Sequence, residues 1–248
     1  MGRGMGNQNG IVYLVGAGPG KISHLTVEAQ QILKKVEVLI YDALVDEQLQ
    51  KLLPDGCACL HVGKRGGQPS TPQSEINQLL VHHCQRGKTV VRLKSGDPFI
   101  FGRCTAEIEA LKQADCDYEV VPGLSSALTA PLLAHIPLTD PVLSRSFTVF
   151  SAHDPDALNW EALAQMDTLV ILMGTRTLAT IVERLQEYGR SPQTPIAIIR
   201  WASQPQEQLW IGTLEAIVQQ TSRQSLSPAV IVIGEVVKLR AYLQPNVD

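Results

Sequence analysis

From Gly10 onward, short apolar runs alternate with segments in which apolar residues recur at helical spacing. This is the pattern of strands alternating with helices, and so of an α/β protein with largely parallel sheets. Ile11 to Val15 predicts the first strand. After the loop GAGPG, Ala29, Ile32, Leu33 and Val36 fall at i, i+3, i+4 and i+7 behind Thr26 in an N-cap position, which predicts a helix. Val38 to Tyr41 predicts a second strand ending at Asp42, and Thr71-Pro72 opens a helix carrying Ile76, Leu79 and Leu80. Thr89 to Leu93 and Tyr118 to Val121 read as strands, with a helix through about Gln113 between them, and Leu124 to Ala134 as a helix of small residues.

The stretch IPLTDPVLSRS, from Ile136 to Ser146, is proline-bearing and aperiodic, which predicts a domain boundary. The expected organisation is a tail over residues 1–9, a first α/β domain over 10–143 and a second over 144–248. In the second, Ser146 to Phe150, Thr168 to Leu172, Pro195 to Ile199, Gln208 to Gly212 and Ala229 to Ile233 are strand candidates. Leu178, Ile181, Val182 and Leu185 make a helix face.

Composition narrows the function. A chain of 248 residues with 44% apolar and 18% charged residues can bury a full core. Its net charge of −3 provides no overall positive field for nucleic acid or anionic lipid. The uncharged stretch from Val120 up to Asp140 is broken by Pro122, Pro131, His135 and Pro137, so it predicts buried loop and helix rather than a membrane span. The first ten residues lack the apolar core of a secretory signal, and five cysteines without repeated spacing fit reduced thiols, hence a cytoplasmic setting. Cys57 and Cys59 have no second pair to complete a zinc site, and His82-His83 are adjacent on a helix and face different ways, so no metal is expected.

Candidate chemistry lies at strand ends. Gly16-Ala17-Gly18-Pro19-Gly20 joins strand to helix and allows close backbone approach to a ligand. Asp42 stands about where a ribose-binding acid would, but Lys21 stands where a dinucleotide loop wants glycine or alanine, so these features favour a plain tight turn over a dinucleotide site. RLKSGDPFIFGR, residues 92–103, carries a strand into a polar, cation-flanked turn, either an active loop or a turn stabilised by Asp97. VGKRGG places Lys64 and Arg65 in a glycine-rich loop suited to anionic groups. Asp42 could accept a proton or cap the next turn, His153 is a lone loop histidine, and Met173 could touch a flat apolar ligand or sit in the core.

In this order, VGAGPG, LIYDALV, VGKRGG, QSEINQLL, GKTVVRLKSGDPFIFGR, VVPGLSSA, IPLT, LVILMGT, TPIAII, IGTL and SPAVIVIGEVV closely resemble the uroporphyrinogen-III C-methyltransferases of sirohaem and cobalamin biosynthesis, within the tetrapyrrole methylase family. The resemblance implies the two-domain tetrapyrrole methylase fold, each domain a mixed, mainly parallel sheet flanked by helices. It also implies a homodimer without metal that uses S-adenosylmethionine to methylate C2 and C7 of uroporphyrinogen III, giving precorrin-1 and then precorrin-2.

By the same resemblance Asp42 is the proton acceptor and Lys64 the proton donor. Donor contacts fall on Pro19, Ser95, Gly96, Asp97, Ile100, Ser125, Ser126, Met173 and Ala202, and substrate contacts on Arg65, Arg103 and Met173. The chain departs from the family at Ser95, Cys104-Thr105, Ala152 and Ala202, where relatives carry glycine, and at Asp140-Pro141. If those glycines have positive φ, each substitute costs about 1 kcal/mol or more. Two other readings remain at this level, a methylase of a later precorrin and a non-catalytic paralogue that binds tetrapyrrole or donor.

Overall fold

The computed structural model describes residues 9–42, 47–63 and 71–244, with Glu47, Gln48 and Gln50 described by backbone alone. The first unit runs β1 (Ile11–Gly16), α1 (Val27–Leu33), β2 (Val38–Tyr41), β3 (Ala58–His61), α2 (Gln73–Gln85), β4 (Thr89–Lys94), α3 (Cys104–Gln113) and β5 (Asp117–Val121). Every pairing in its sheet is parallel, in the order β3-β2-β4-β1-β5. Thr26 caps α1 as its position predicts, its side chain accepting from the Ala29 amide.

Alternation sorts the strand residues between two faces. Val12, Leu14, Val38, Ile40 and Val90 pack with Ile76, Leu80 and Leu111 of α2 and α3. Val15, Leu39, Val91 and Leu93 pack with Ala29 and Leu33 of α1. Arg92 and Lys94 continue the alternation begun by Val90, which directs two cations toward α2 and α3. The strand β3 is absent from the sequence reading because it lies at the sheet edge and is a four-residue ACLH run, half exposed, with no sustained apolar pattern.

The second unit comprises α4 (Ser126–Leu133), β6 (Phe147–Ser151), α5 (Trp160–Ala164), β7 (Thr168–Leu172), α6 (Leu178–Glu187), β8 (Pro195–Arg200), β9 (Gln208–Thr213), α7 (Leu214–Gln220), β10 (Ala229–Ile233) and α8 (Arg240–Leu243). Its sheet, β6-β7-β10-β8-β9, is mixed: β6 and β7 are parallel, and the β7–β10, β10–β8 and β8–β9 pairings are antiparallel. It is thus more antiparallel in its pairings than a mainly parallel sheet predicts, because β8 and β9 form a hairpin and β10 inserts between β7 and β8 in the reverse direction. Leu178, Ile181, Val182 and Leu185 are all buried, as the helical spacing predicts.

The compact units divide between Ser125 and Ser126, upstream of the expected junction at 143/144. Ala127, Ala130, Ala134 and Ile136 pack against Val170, Ala197, Val230 and Val232, so α4 belongs to the second sheet. The irregular stretch after it is pinned rather than a linker. The Ser144 hydroxyl lies 3.0 and 2.9 Å from the carbonyl oxygens of Leu138 and Ser146, either of which can accept its one proton, and 2.8 Å from the hydroxyl of Thr168. Asp140 accepts from the Leu143 and Val142 amides, which hold its carboxyl below the usual range.

Candidate active site

Chain order runs from β1 out to β2 and β3, then returns to β4 beside β1 and crosses to β5, so the strand order, not the strand direction, reverses between β4 and β1. The carboxyl ends of strands at such a reversal are where open α/β sheets bind ligands. Here the first glycine loop and the Ser95–Arg103 loop meet. The Ala17 amide donates to the Lys94 carbonyl at 2.7 Å, and Gly18 and Gly96 exchange backbone bonds of 3.2 and 2.9 Å. Close approach demands glycine at two further places: a Cβ on Gly16 would fall 2.6 Å from Gly96 O, and one on Gly123 2.3 Å from the same oxygen. Pro19, Ser95, Gly96, Asp97 and Ile100 are therefore carried on two loops joined by backbone bonds.

Asp97 makes the local turn that the sequence allowed, accepting from the Phe99 amide at 2.8 Å. Beyond it Phe99, Ile100 and Phe101 are exposed, and Phe101 and Arg103 hold φ of 54° and 55°. Positive φ in bulky residues marks a locally strained loop held by its surroundings. The strain expected at the replaced glycines lies elsewhere: neither Ser95, Cys104, Ala152 nor Ala202 has positive φ, whereas Met173, Trp201 and Ser203 do, at 57°, 51° and 69°. Cys104 is accommodated as the first residue of α3, which starts directly after Arg103.

Asp42 follows β2 and faces a cavity of about 280 Å³ lined also by Arg92, Lys94, Ile100, Phe101 and Arg103. Four residues without a role in the sequence reading complete this corner. Arg92 Nη2 donates to Asp42 Oδ1 at 2.7 Å, and Arg92 Nε donates to Glu107 Oε1 at 2.9 Å. Lys94 Nζ donates to both Glu107 oxygens, at 2.9 and 2.8 Å. Gln73 adds a weaker bond to the same Glu107 Oε1 at 3.4 Å. Burial alone would push the Arg92 guanidinium down, but the charges of Asp42 and Glu107 outweigh it and hold it above its ordinary value. The signal that could have found these residues was a pair of cations at alternate positions of an apolar strand, which require buried carboxylate partners.

Lys64 and Arg65 lie outside the described residues. Ser126, Met173 and Ala202 belong to the second unit, where Met173 ends the run after β7 and is half exposed, and Ser125 is the last residue of the first. The Ser203 hydroxyl beside Ala202 is buried with no hydrogen-bond partner among the described residues, while its amide donates to Glu207 at 2.7 Å. An orphaned buried hydroxyl of this kind suits a polar ligand that supplies the missing bond. Among the described residues no group of three or more potential metal ligands occurs, and no helix is long and apolar enough to cross a membrane.

The buried thiols of the first unit are protected. Burial, then the charge of Glu107, pushes Cys104 up to about 11, and burial pushes Cys84 to about 12. At pH 8 Cys104 is thus held in its unreactive thiol form. Iodoacetamide is expected to modify exposed Cys59 in the native protein and to spare Cys84 and Cys104 until urea is added. Peptide mass spectrometry reads this out, and rapid native labelling of Cys104 would show that the start of α3 opens.

Residues 11–218 match the family model described as tetrapyrrole (corrin/porphyrin) methylases. The chain is 60% identical over 233 residues to a uroporphyrinogen-III C-methyltransferase of Synechococcus elongatus, covering 94% of this chain and 96% of that one. It is 44% identical over 234 residues to a sirohaem synthase of Pectobacterium atrosepticum, covering 93% of this chain but 48% of that longer protein. Among solved structures, the uroporphyrin-III C-methyltransferase of Thermus thermophilus complexed with S-adenosylhomocysteine superposes with a TM-score of 0.80 at 37% identity, covering 93% of this chain and 100% of that one.

Proposed function

The chain belongs to the tetrapyrrole (corrin/porphyrin) methylases, and from that premise we propose that it is a uroporphyrinogen-III C-methyltransferase that takes its methyl groups from S-adenosylmethionine. The observation that carries the reading is 60% identity across nearly the full length of both chains to an enzyme of that name. The paired loops of the first unit suit the donor contacts assigned to Pro19, Ser95, Gly96, Asp97 and Ile100, and the same reading assigns donor contacts to Ser125, Ser126, Met173 and Ala202. When bound, S-adenosylmethionine supplies an electrophilic methyl group and departs as S-adenosylhomocysteine, with the electron pair of the broken C–S bond left on sulfur.

The work left to the chain's own residues is alignment and proton handling. A pyrrole carbon of the macrocycle gives its electron pair to the new C–C bond, which leaves positive charge on the ring until a proton departs. Asp42, in the lining of the cavity, is the acceptor of that proton. Lys64 is assigned the complementary donor role. Arg65, Arg103 and Met173 bind the macrocycle, the two arginines meeting its carboxylates by charge-assisted hydrogen bonds. Methylation at C2 and then C7, giving precorrin-1 and precorrin-2 without a metal, is part of the same reading. So are a homodimer, measurable by sedimentation, and a cytoplasmic setting.

The test is anaerobic incubation of the purified chain with uroporphyrinogen III and S-adenosylmethionine, followed by mass spectrometry of the tetrapyrrole. Two added methyl groups are expected. One would limit the reading to the first transfer. None, with donor binding measured by calorimetry, would move the assignment to a later precorrin or a non-catalytic role.

A further inference from the structure

We propose that Arg92 is a positioning residue for methyl transfer: it fixes the Asp42 carboxylate in the lining of the cavity, and Glu107 fixes Arg92. The inference rests on the assignment of proton acceptance to Asp42. Arg92 lies on the central part of the first sheet, with Ile40 of β2 on one side and Leu14 of β1 on the other. Its side chain is 4% exposed, that of Glu107 0% and that of Lys94 3%, whereas that of Asp42 is 31% exposed. The chain of charges therefore has one open end, and that end is the carboxylate assigned to the reaction.

The guanidinium uses each nitrogen on a different partner: Nη2 on Asp42, Nε on Glu107 and Nη1 on the Leu93 carbonyl at 3.3 Å. A planar fork held at two corners transmits the position of α3, where Glu107 sits in the first turn, to the end of β2. The bond to Asp42 engages Oδ1 alone, so the contact orients the carboxylate without enclosing both oxygens. Glu107 is held in turn by Lys94, whose carbonyl accepts from Ala17 in the first glycine loop. Asp42 is thus referenced to the same backbone that carries Pro19 and Ser95. A lysine at position 92 keeps the charge but loses the fork, and cannot hold both carboxylates in that geometry.

The test compares Arg92→Lys, Asp42→Asn and the double variant with the full wild-type chain, using steady-state methylation of uroporphyrinogen III, donor calorimetry and thermal melting. Arg92→Lys is expected to lower kcat about 100-fold, as misplacement of a reacting group does, with KM for both substrates near wild type. In the Asp42→Asn background it is expected to lower kcat no further. An Arg92→Lys variant that raises KM instead, or that costs the same factor of kcat with and without Asp42, overturns the proposal and makes Arg92 a binding or purely structural residue. Should Arg92→Lys fail to fold, Glu107→Asp, which withdraws the second anchor by one methylene, is expected to give the same kcat loss absent from the Asp42→Asn background, and equal losses in both backgrounds overturn the proposal. Wild-type turnover by Asp42→Asn would remove both Asp42 and this role of Arg92 while leaving the activity intact. Failure of the wild-type chain itself to methylate would instead sink the functional reading.

Discussion

Asp42→Asn is expected to lower kcat by about 10²- to 10⁴-fold, the range that a positioned general base contributes, while leaving the affinity for S-adenosylmethionine within a few-fold of wild type. The substitution keeps the volume of the side chain and an acceptor oxygen for Arg92, whose Nη2 reaches Oδ1 at 2.7 Å. Only the capacity to take a proton is removed. Donor affinity is insulated because the loops bearing Pro19 and Ser95 are held by backbone bonds among Ala17, Gly18, Lys94 and Gly96 that do not involve Asp42. Single-turnover methylation with calorimetry on the same preparation checks both halves. An unchanged rate would take Asp42 out of the mechanism, and a parallel loss of donor affinity would make it a binding residue.

Glu107→Ala is expected to destabilise the protein by about 3–5 kcal/mol, the cost of breaking a buried ion pair by deleting one partner. Glu107 is fully buried and is bonded by both Arg92 and Lys94, so its loss leaves Lys94 uncompensated and Arg92 with Asp42 alone. A drop in the midpoint of urea unfolding, followed by circular dichroism, measures the effect. The network as a whole is weak evidence for stability, since burying charges costs free energy that their attraction only partly offsets. Replacing Arg92, Lys94 and Glu107 together by Met, Met and Leu is therefore expected to recover most of the stability lost by Glu107→Ala. Recovered stability without recovered turnover would separate folding from catalysis; a triple variant no more stable than Glu107→Ala would show that the charges are needed for the fold itself.

Much of the architecture was legible because burial of a sheet on both faces imposes continuous apolar strands and one-sided helices. Val38 to Tyr41, Thr168 to Leu172 and Ala229 to Ile233 match their predicted strands residue for residue, and Thr26 caps its helix as predicted. The boundary was misplaced because prolines signal irregular backbone, not independence, and the stretch around Ser144 is irregular yet tied to the second sheet. The glycine departures were read as sites of strain, but strain depends on φ, and positive values fell on neighbours such as Arg103, Met173, Trp201 and Ser203 instead.

By itself, then, the sequence determined the family, the alternation of strands and helices, and the loops that carry Pro19, Ser95 and Asp97, because these follow from local patterns and from an ordered set of motifs. Only the tertiary structure decided that Asp42, Arg92, Glu107 and Lys94 form one chain of charges. Asp42 and Arg92 stand 50 positions apart, and Arg92 and Glu107 15 apart. What unites them is strand order: insertion of β4 beside β2 brings Arg92 to the end of the neighbouring strand, and the pleat turns its side chain toward α3. Adjacency across a sheet is a property of the fold, and no spacing along the chain encodes it.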